Sequence, residues 1–257
     1  VISTSEKDIY SAFALIYDTV MRDVDYDSWA RHIMRLAKKF RLPHSKLLEI
    51  ACGTGTLSLR MKQLGCDVTG VDLSEDMLKL ARIKLREEGV DLPLYQASMD
   101  NLSALDLEPV FDLVTCLYDS LNYLLCEEAV LRSFHDVYEL LRPGGGYIFD
   151  VTTEYNLLHN FAGYTFAENF DDVSYIWENE YDIEKSICSS KVSMFRLENA
   201  VYQKYVEVHR QKVYETAWLK QSLKAVGFEV LGTFYNMTDK PVRAKCERIH
   251  FVCKKPK

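Results

Sequence analysis

The hydrophobic and polar positions follow two different periods along this chain, and each change of period marks a change of element. Leu47, Leu48 and Ile50 form a short apolar run, as expected of a strand buried on both faces. Residues 56–64 carry Leu57, Leu59, Met61 and Leu64, a spacing that predicts a helix packed on a sheet. Val68, Gly70 and Val71 predict a second strand, ending on Asp72. Residues 74–87 read as a helix with Ser74 as its cap and Glu75 and Asp76 in its first turn, where negative charge suits the helix dipole. Three more strands follow at 92–96, 111–118 and 147–151, with a helix at 127–141 before the last. The Arg142-Pro143-Gly144-Gly145-Gly146 run reads as a helix stop and a turn. Strands alternating with helices predict a parallel sheet covered on both faces.

The flanks of this unit differ from it. Phe13, Ile16, Tyr17 and Val20 fit one helical face, and Trp29, Ile33, Leu36, Ala37 and Phe40 fit a second, capped at Asp27 or Ser28. Between 152 and 212 the helical period fades. Segments 164–168, 174–182, 187–197 and 200–211 are rich in aromatic and β-branched residues and predict an antiparallel β insertion. From 213 a helix at 217–226, stopped by Gly227, and strands at 228–234 and 248–254 close the sheet. The expected organisation is a core of residues 1–151 and 213–257, whose first 45 residues form a helical lid segment, and an insertion at 152–212.

The first strand–turn–helix–strand carries Glu49, Gly53 and Gly55, an E-x-x-x-G-x-G pattern. Glycine lets a ligand approach the backbone and permits positive φ. An acid at the end of the second strand can accept from a ribose diol. A dinucleotide fingerprint would require glycine where Ser58 stands. The E-x-x-x-G-x-G pattern, the VDLSEDMLKLAR segment and LLRPGGGYIFDV together resemble the class I S-adenosylmethionine-dependent methyltransferases. That cofactor has no phosphate to cradle.

The resemblance implies a Rossmann-like, doubly wound α/β fold with a seven-stranded sheet. It implies S-adenosylmethionine as cofactor and S-adenosylhomocysteine as product, with the glycine turn at the methionine end and Asp72 on the ribose. The implied cofactor-binding residues are Tyr17, Glu49, Ala51, Gly53, Gly55, Asp72, Leu73, Met77, Ser98, Met99, Leu117 and Tyr118. Ser98 stands where relatives carry an adenine-reading acid, and Asp100 is the alternative reader. The SAFALIYDTVM segment, with Tyr17 and Asp18, resembles a lid over the cofactor, although the same aromatics suit plain packing. Tyr118, Asp119 and Asn122 follow the fourth strand, where relatives border the acceptor. The insertion would roof the acceptor site or form a dimer surface. Methyl transfer needs no dedicated base. If one is used, His209 and Glu207 are the expected catalytic pair, with Tyr205 alongside.

Composition narrows the acceptor. The chain has 257 residues, 48% hydrophobic and 27% charged, enough for one large domain with an insertion. Its formal charge is −7, which argues against nonspecific nucleic-acid binding even though Lys38, Lys39 and Arg41 form a small basic cluster. Seven scattered cysteines without ligand spacing suggest reduced thiols and no metal site. No apolar run near the length of a membrane span and no leader are read, so a cytoplasmic protein is expected. The reading is a methyltransferase acting on a small molecule such as an amine or amino sugar, as a monomer or homodimer. Its rivals are an RNA methyltransferase, a nicotinamide-dependent oxidoreductase and a non-catalytic cofactor-binding protein.

Overall fold

The computed structural model describes Ile2–Ser3 by their backbone and residues 10–257 in full. Residues 1 and 4–9 of the expected lid segment lie outside the described residues. The chain begins with β1 (Ile2–Ser3), α1 (Ala14–Val20) and α2 (Tyr26–Lys39). Then come β2 (Lys46–Ile50), α3 (Thr56–Gln63), β3 (Asp67–Asp72), α4 (Glu75–Glu87), β4 (Leu94–Gln96), β5 (Phe111–Cys116), α5 (Glu127–Leu140) and β6 (Leu141–Thr152). A short α6 (Glu154–Asn156) leads into the insertion strands β7 (Thr165–Asn169), β8 (Val173–Asp182), β9 (Ile187–Glu198) and β10 (Val201–Lys212). The chain closes with α7 (Thr216–Val226), β11 (Glu229–Tyr235) and β12 (Arg248–Lys254).

The main sheet has seven strands in the order β11-β12-β6-β5-β2-β3-β4. Strands β2 to β6 pair in parallel, and β12 runs against both β6 and β11. The strand order reverses between β2 and β5, so the ligand crevice of such a sheet lies beyond Ile50 and Cys116. Adjacent residues feed opposite cores. Leu47, Leu113, Ile148 and Val252 pack with α2 and α3, whereas Leu48, Val114, Phe149 and Phe251 pack with α5 and α7. Continuous apolar strands are what this two-sided burial requires.

Three expectations are corrected. The cap of α2 is Asp25, whose carboxylate accepts from the Ser28 N–H at 2.8 Å, because a capping side chain must precede that N–H by a full turn. The Pro-Gly-Gly-Gly run is no turn between elements. Strand β6 starts at Leu141, opposite Phe111, and skips to Gly146 opposite Leu113, so residues 142–145 bulge out within it. Gly146 is needed there, since a Cβ would sit 2.6 Å from Leu42 Cδ1. Finally, most of α2 is core and not lid: of its residues only Tyr26, in the first turn, borders the crevice cavity. Trp29, Ile33, Leu36 and Ala37 are buried in the core beside Leu47 and Leu57.

The insertion is an antiparallel meander, β10-β9-β8-β7, with β1 added in parallel along β10 through Ile2 opposite Tyr205. The pairing of β1 had no sequence signal, being two residues long. The inner face of this sheet presents Val173, Tyr175, Val192 and Met194 to Phe13 and Ile16 of the N-terminal segment. That third core fixes the insertion over the carboxyl ends of the main strands.

Candidate active site

The crevice is built on the turn after β2. Ala51, Gly53 and Gly55 take φ values of +56°, +55° and +73°, curling the backbone between β2 and α3. A Cβ added to Gly53 would meet nothing within 4 Å, so open space lies in front of it. At Gly55 a Cβ would stand 3.2 Å from Ala81 Cβ, and this close approach seats α4 against the turn. Asp72, at the end of β3, accepts from the Gly53 N–H at 2.7 Å and the Ser74 N–H at 2.8 Å, one on each oxygen. Each oxygen retains a lone pair for a further donor. Burial pushes the Asp72 carboxyl up, while those N–H groups pull it back.

Glu49 lies beneath the turn. Its carboxyl receives the hydroxyl proton of Ser58, and both side chains are buried. Burial first, and the Asp72 charge with it, push Glu49 up to about 8, with Ser58 opposing. Ser58 thus fills the third-glycine position with a bond to this acid rather than with space for a pyrophosphate.

The N-terminal segment closes the crevice. Tyr17, Tyr26, Glu49, Ala51, Thr54, Thr56, Leu117 and Tyr118 border a cavity of only about 30 Å³. Asp18 accepts from the Thr54 hydroxyl at 2.7 Å and pairs with Lys84 at 2.8 Å. Lys84 also donates to Thr54 and Thr56, at 2.9 and 2.6 Å. On the other side Glu207 of β10 accepts from three backbone N–H groups: Tyr10 at 3.0 Å, Ala12 at 2.7 Å and Phe13 at 2.9 Å.

Comparison with known proteins identifies this arrangement. A family model described as a methyltransferase domain matches residues 47–145, which span the crevice. A protein of Geobacillus sp. (strain WCH70), provisionally named a methyltransferase, is 36% identical over 248 residues, 96% of this chain and 99% of that protein. The chain belongs to the class I S-adenosylmethionine-dependent methyltransferase family. A solved S-adenosylmethionine-dependent methyltransferase from Clostridium acetobutylicum ATCC 824 is 30% identical, with a TM-score of 0.84 over 97% of this chain and all of that one. The sugar N-methyltransferase KedS8 from Streptoalloteichus sp. ATCC 53650 shares the fold at 21% identity, with a TM-score of 0.79 over the whole of this chain and 96% of that one.

The residues at the crevice of this methyltransferase are of the kinds its cofactor would need. The space over Gly53 accommodates a ligand against bare backbone, and Asp72 offers two free lone pairs to a diol. When bound, S-adenosylmethionine supplies an electrophilic methyl group. Of the expected binding residues, Tyr17, Glu49, Ala51, Leu117 and Tyr118 border the cavity, and Gly53, Gly55 and Asp72 form its turn and strand end. Leu73 is exposed beside Asp72, whereas Met77 is buried within α4 and gives its N–H to the Ser74 cap. Ser98 donates its hydroxyl to Asp100, which pairs with Arg132 at 2.6 Å. Met99 packs on the core at the sheet's flank.

The junction of the insertion with the turn after β5 holds the other expected residues. His209 is 3% exposed, with Nε2 3.2 Å from Glu207 Oε2, a charge contact without hydrogen-bond alignment. Its Nδ1 lies 3.4 Å from the Tyr123 hydroxyl, which in turn receives the Tyr10 hydroxyl proton at 2.6 Å. Burial would raise the Glu207 carboxyl, but His209 and the N–H groups of Phe13 and Tyr10 outweigh it and hold it below its ordinary value. With its oxygens so engaged, Glu207 has the geometry of an anchor for the N-terminal segment. Asn122 is fully buried and structural, donating to the Lys212 carbonyl and accepting from the Thr152 N–H. Tyr205 turns to Glu198.

Sequence reasoning missed Thr54, Thr56 and Lys84, because the loop that joins them is closed only by α4 folding back. It also missed Tyr10 and Tyr123 as a pair, 113 residues apart. The one available signal was a tyrosine in each of two segments expected at the same crevice.

Proposed function

We propose that this methyltransferase transfers the methyl group to the nitrogen of a small-molecule amine, with His209 taking the nitrogen's proton. The acceptor lies between the N-terminal segment, the turn after β5 and the insertion sheet. The observation that carries this reading is the Tyr10–Tyr123–His209–Glu207 chain at the junction of these three parts. Asp72 takes the ribose hydroxyls, the Gly53–Gly55 turn the methionine end, and Ser98 or Asp100 the adenine edge.

The chemistry of that junction favours an amine. An ammonium is drawn to aromatic faces, and Tyr10, Phe13, Tyr17, Tyr123 and Trp177 cluster around His209. A neutral imidazole nitrogen is a group type suited to taking a proton from an attacking amine. With S-adenosylmethionine bound, the cofactor would supply the methyl electrophile, and the residues around His209 would hold the amine in line with it. Positioning in a closed pocket supplies the remainder of the rate. A shared fold with a sugar N-methyltransferase agrees with this acceptor class. Of the outer cations of α2, Arg35 and Lys39 are both paired with Asp239.

The test is S-adenosylhomocysteine release, followed by mass spectrometry, with panels of amines and amino sugars, phenols and RNA. Turnover of an amine, lowered about a hundredfold by His209→Asn, is expected. Turnover confined to phenols or RNA refutes the amine assignment.

A further inference from the structure

The turn that follows β5 is held in a conformation its own residues disfavour. Tyr118 and Asp119 are consecutive, carry side chains, and take φ of +63° and +50°. Non-glycine residues rarely adopt this left-handed region. The pair Asn199–Ala200 also does so, but in the hairpin turn between β9 and β10, where two positive φ values are ordinary. No hairpin demands them at Tyr118–Asp119, so the surroundings must hold that pair. The surroundings here are one side chain. Asp150 of β6, wholly buried, accepts the Tyr118 N–H on Oδ1 at 2.7 Å and the Asp119 N–H on Oδ2 at 2.9 Å.

A second residue locks the first. Arg248 of β12 places one guanidinium nitrogen on Asp150 Oδ2 and the other on Asp119 Oδ1. Its guanidinium carbon also lies 5.3 Å from the Tyr118 ring centre and 5.4 Å from that of Trp29. The remaining Asp119 oxygen accepts from Gln211 Nε2 of β10 at 2.7 Å, so the same turn is tied to the insertion.

We propose that Asp150 and Arg248 are positioning residues for methyl transfer, clamping the Tyr118–Asp119 turn so that Tyr118 presents its ring to the cofactor crevice. The inference rests on reading the cavity bordered by Tyr118 as the cofactor site. A buried acid in a central strand serves ordinary stability when it ties one strand to another. Asp112, at the opposite end of β5, does that: it accepts the Lys46 N–H at 2.9 Å and pairs with Arg142 at 3.0 Å. Asp150 instead spends both oxygens on consecutive N–H groups of a strained turn at the ligand end of the sheet. Its strand position explains how. Asp150 lies opposite His250 and one residue beyond Phe149, the partner of Cys116, so it projects beside the last residue of β5.

The experiment compares Asp150→Asn, Arg248→Lys, Asp112→Asn and Asp72→Ala by calorimetric titration with S-adenosylmethionine, thermal unfolding and near-ultraviolet circular dichroism. An asparagine turns an NH2 group toward an N–H donor, and lysine keeps the charge of Arg248 but loses the fork. Asp150→Asn is expected to weaken binding by about tenfold or more and to change the signal of the Trp29–Tyr118 pair. Asp112→Asn, at a similar loss of unfolding temperature, is expected to do neither. Should Asp150→Asn fail to fold, Arg248→Lys carries the same two readouts. Wild-type affinity in Asp150→Asn and Arg248→Lys while Asp72→Ala loses binding overturns the clamp and leaves the pocket assignment standing. So does equal weakening by Asp112→Asn. Wild-type affinity in Asp72→Ala overturns the pocket assignment and the clamp with it.

Discussion

At the scale of single residues, the acids of this protein are defined by what is buried around them. Glu49 was legible as the acid of a glycine-turn motif, but its bond to Ser58 was not, because the two stand nine positions apart across a turn and a helix start. The pair makes a pH prediction. Glu49 titrates near 8 in the folded protein and near 4.5 when unfolded, so between these values only the folded state keeps the proton. Stability therefore falls as pH rises from about 4.5 to about 8, by an amount on the order of a few kcal/mol. Glu49→Gln removes this dependence. Its unfolding temperature should exceed that of the wild type by a margin that widens from pH 5 to pH 8. A margin constant with pH would show that Glu49 is ionised throughout.

At the scale of elements, most helices and strands were legible because each carries its own period. The insertion strands β8, β9 and β10 lie within a residue or two of the alternation that predicted them. The errors fall where a local signal was overridden by pairing with a distant group: Leu141 pairs with Phe111 and Gly146 with Leu113, so the glycine run is taken into β6 as a bulge. The N-terminal segment is the extreme case, since its attachment depends on Glu207 and three backbone N–H groups. Charge-assisted hydrogen bonds of this kind contribute roughly 1.5–3 kcal/mol each at most. Glu207→Ala should raise hydrogen exchange at Tyr10, Ala12 and Phe13 by about tenfold or more, with the strands of the main sheet unchanged. Because the folded carboxyl sits below its ordinary value, this anchoring is present above the unfolded value of about 4.5. It is lost as pH falls through the lower folded value. Exchange at these three amides should rise in acid for the wild type and stay level for Glu207→Ala.

At the scale of the whole molecule, closure and access are in conflict. A cavity of about 30 Å³ is far below the roughly 300–1,000 Å³ of a pocket for a drug-sized ligand. We propose that a gate of Tyr17 and Tyr26, which border this cavity, reconciles them, and the ties that would hold it shut are the Asp18–Thr54–Lys84 bonds. Binding that waits on a conformational change is slowed in its association step. Lys84→Met should raise the association rate several-fold in stopped-flow measurements of Trp29 fluorescence. An unchanged rate would show that the segment does not gate entry.

The sequence by itself determined the alternation of strands and helices that makes a parallel sheet, the glycine turn with its acids, and the β insertion. Each rests on residues close in the chain, whose spacing matches a fixed geometric period or a short motif. Only the tertiary structure decided what those acids hold. Asp72 stays at the ligand end of its strand with lone pairs to offer, Glu207 is committed to the N-terminal backbone, and Asp150 to the turn after β5. The reason is electrostatic. A carboxylate taken out of water must find donors wherever folding brings them, and here two of the three sets come from elsewhere in the chain, 195 and 32 residues away.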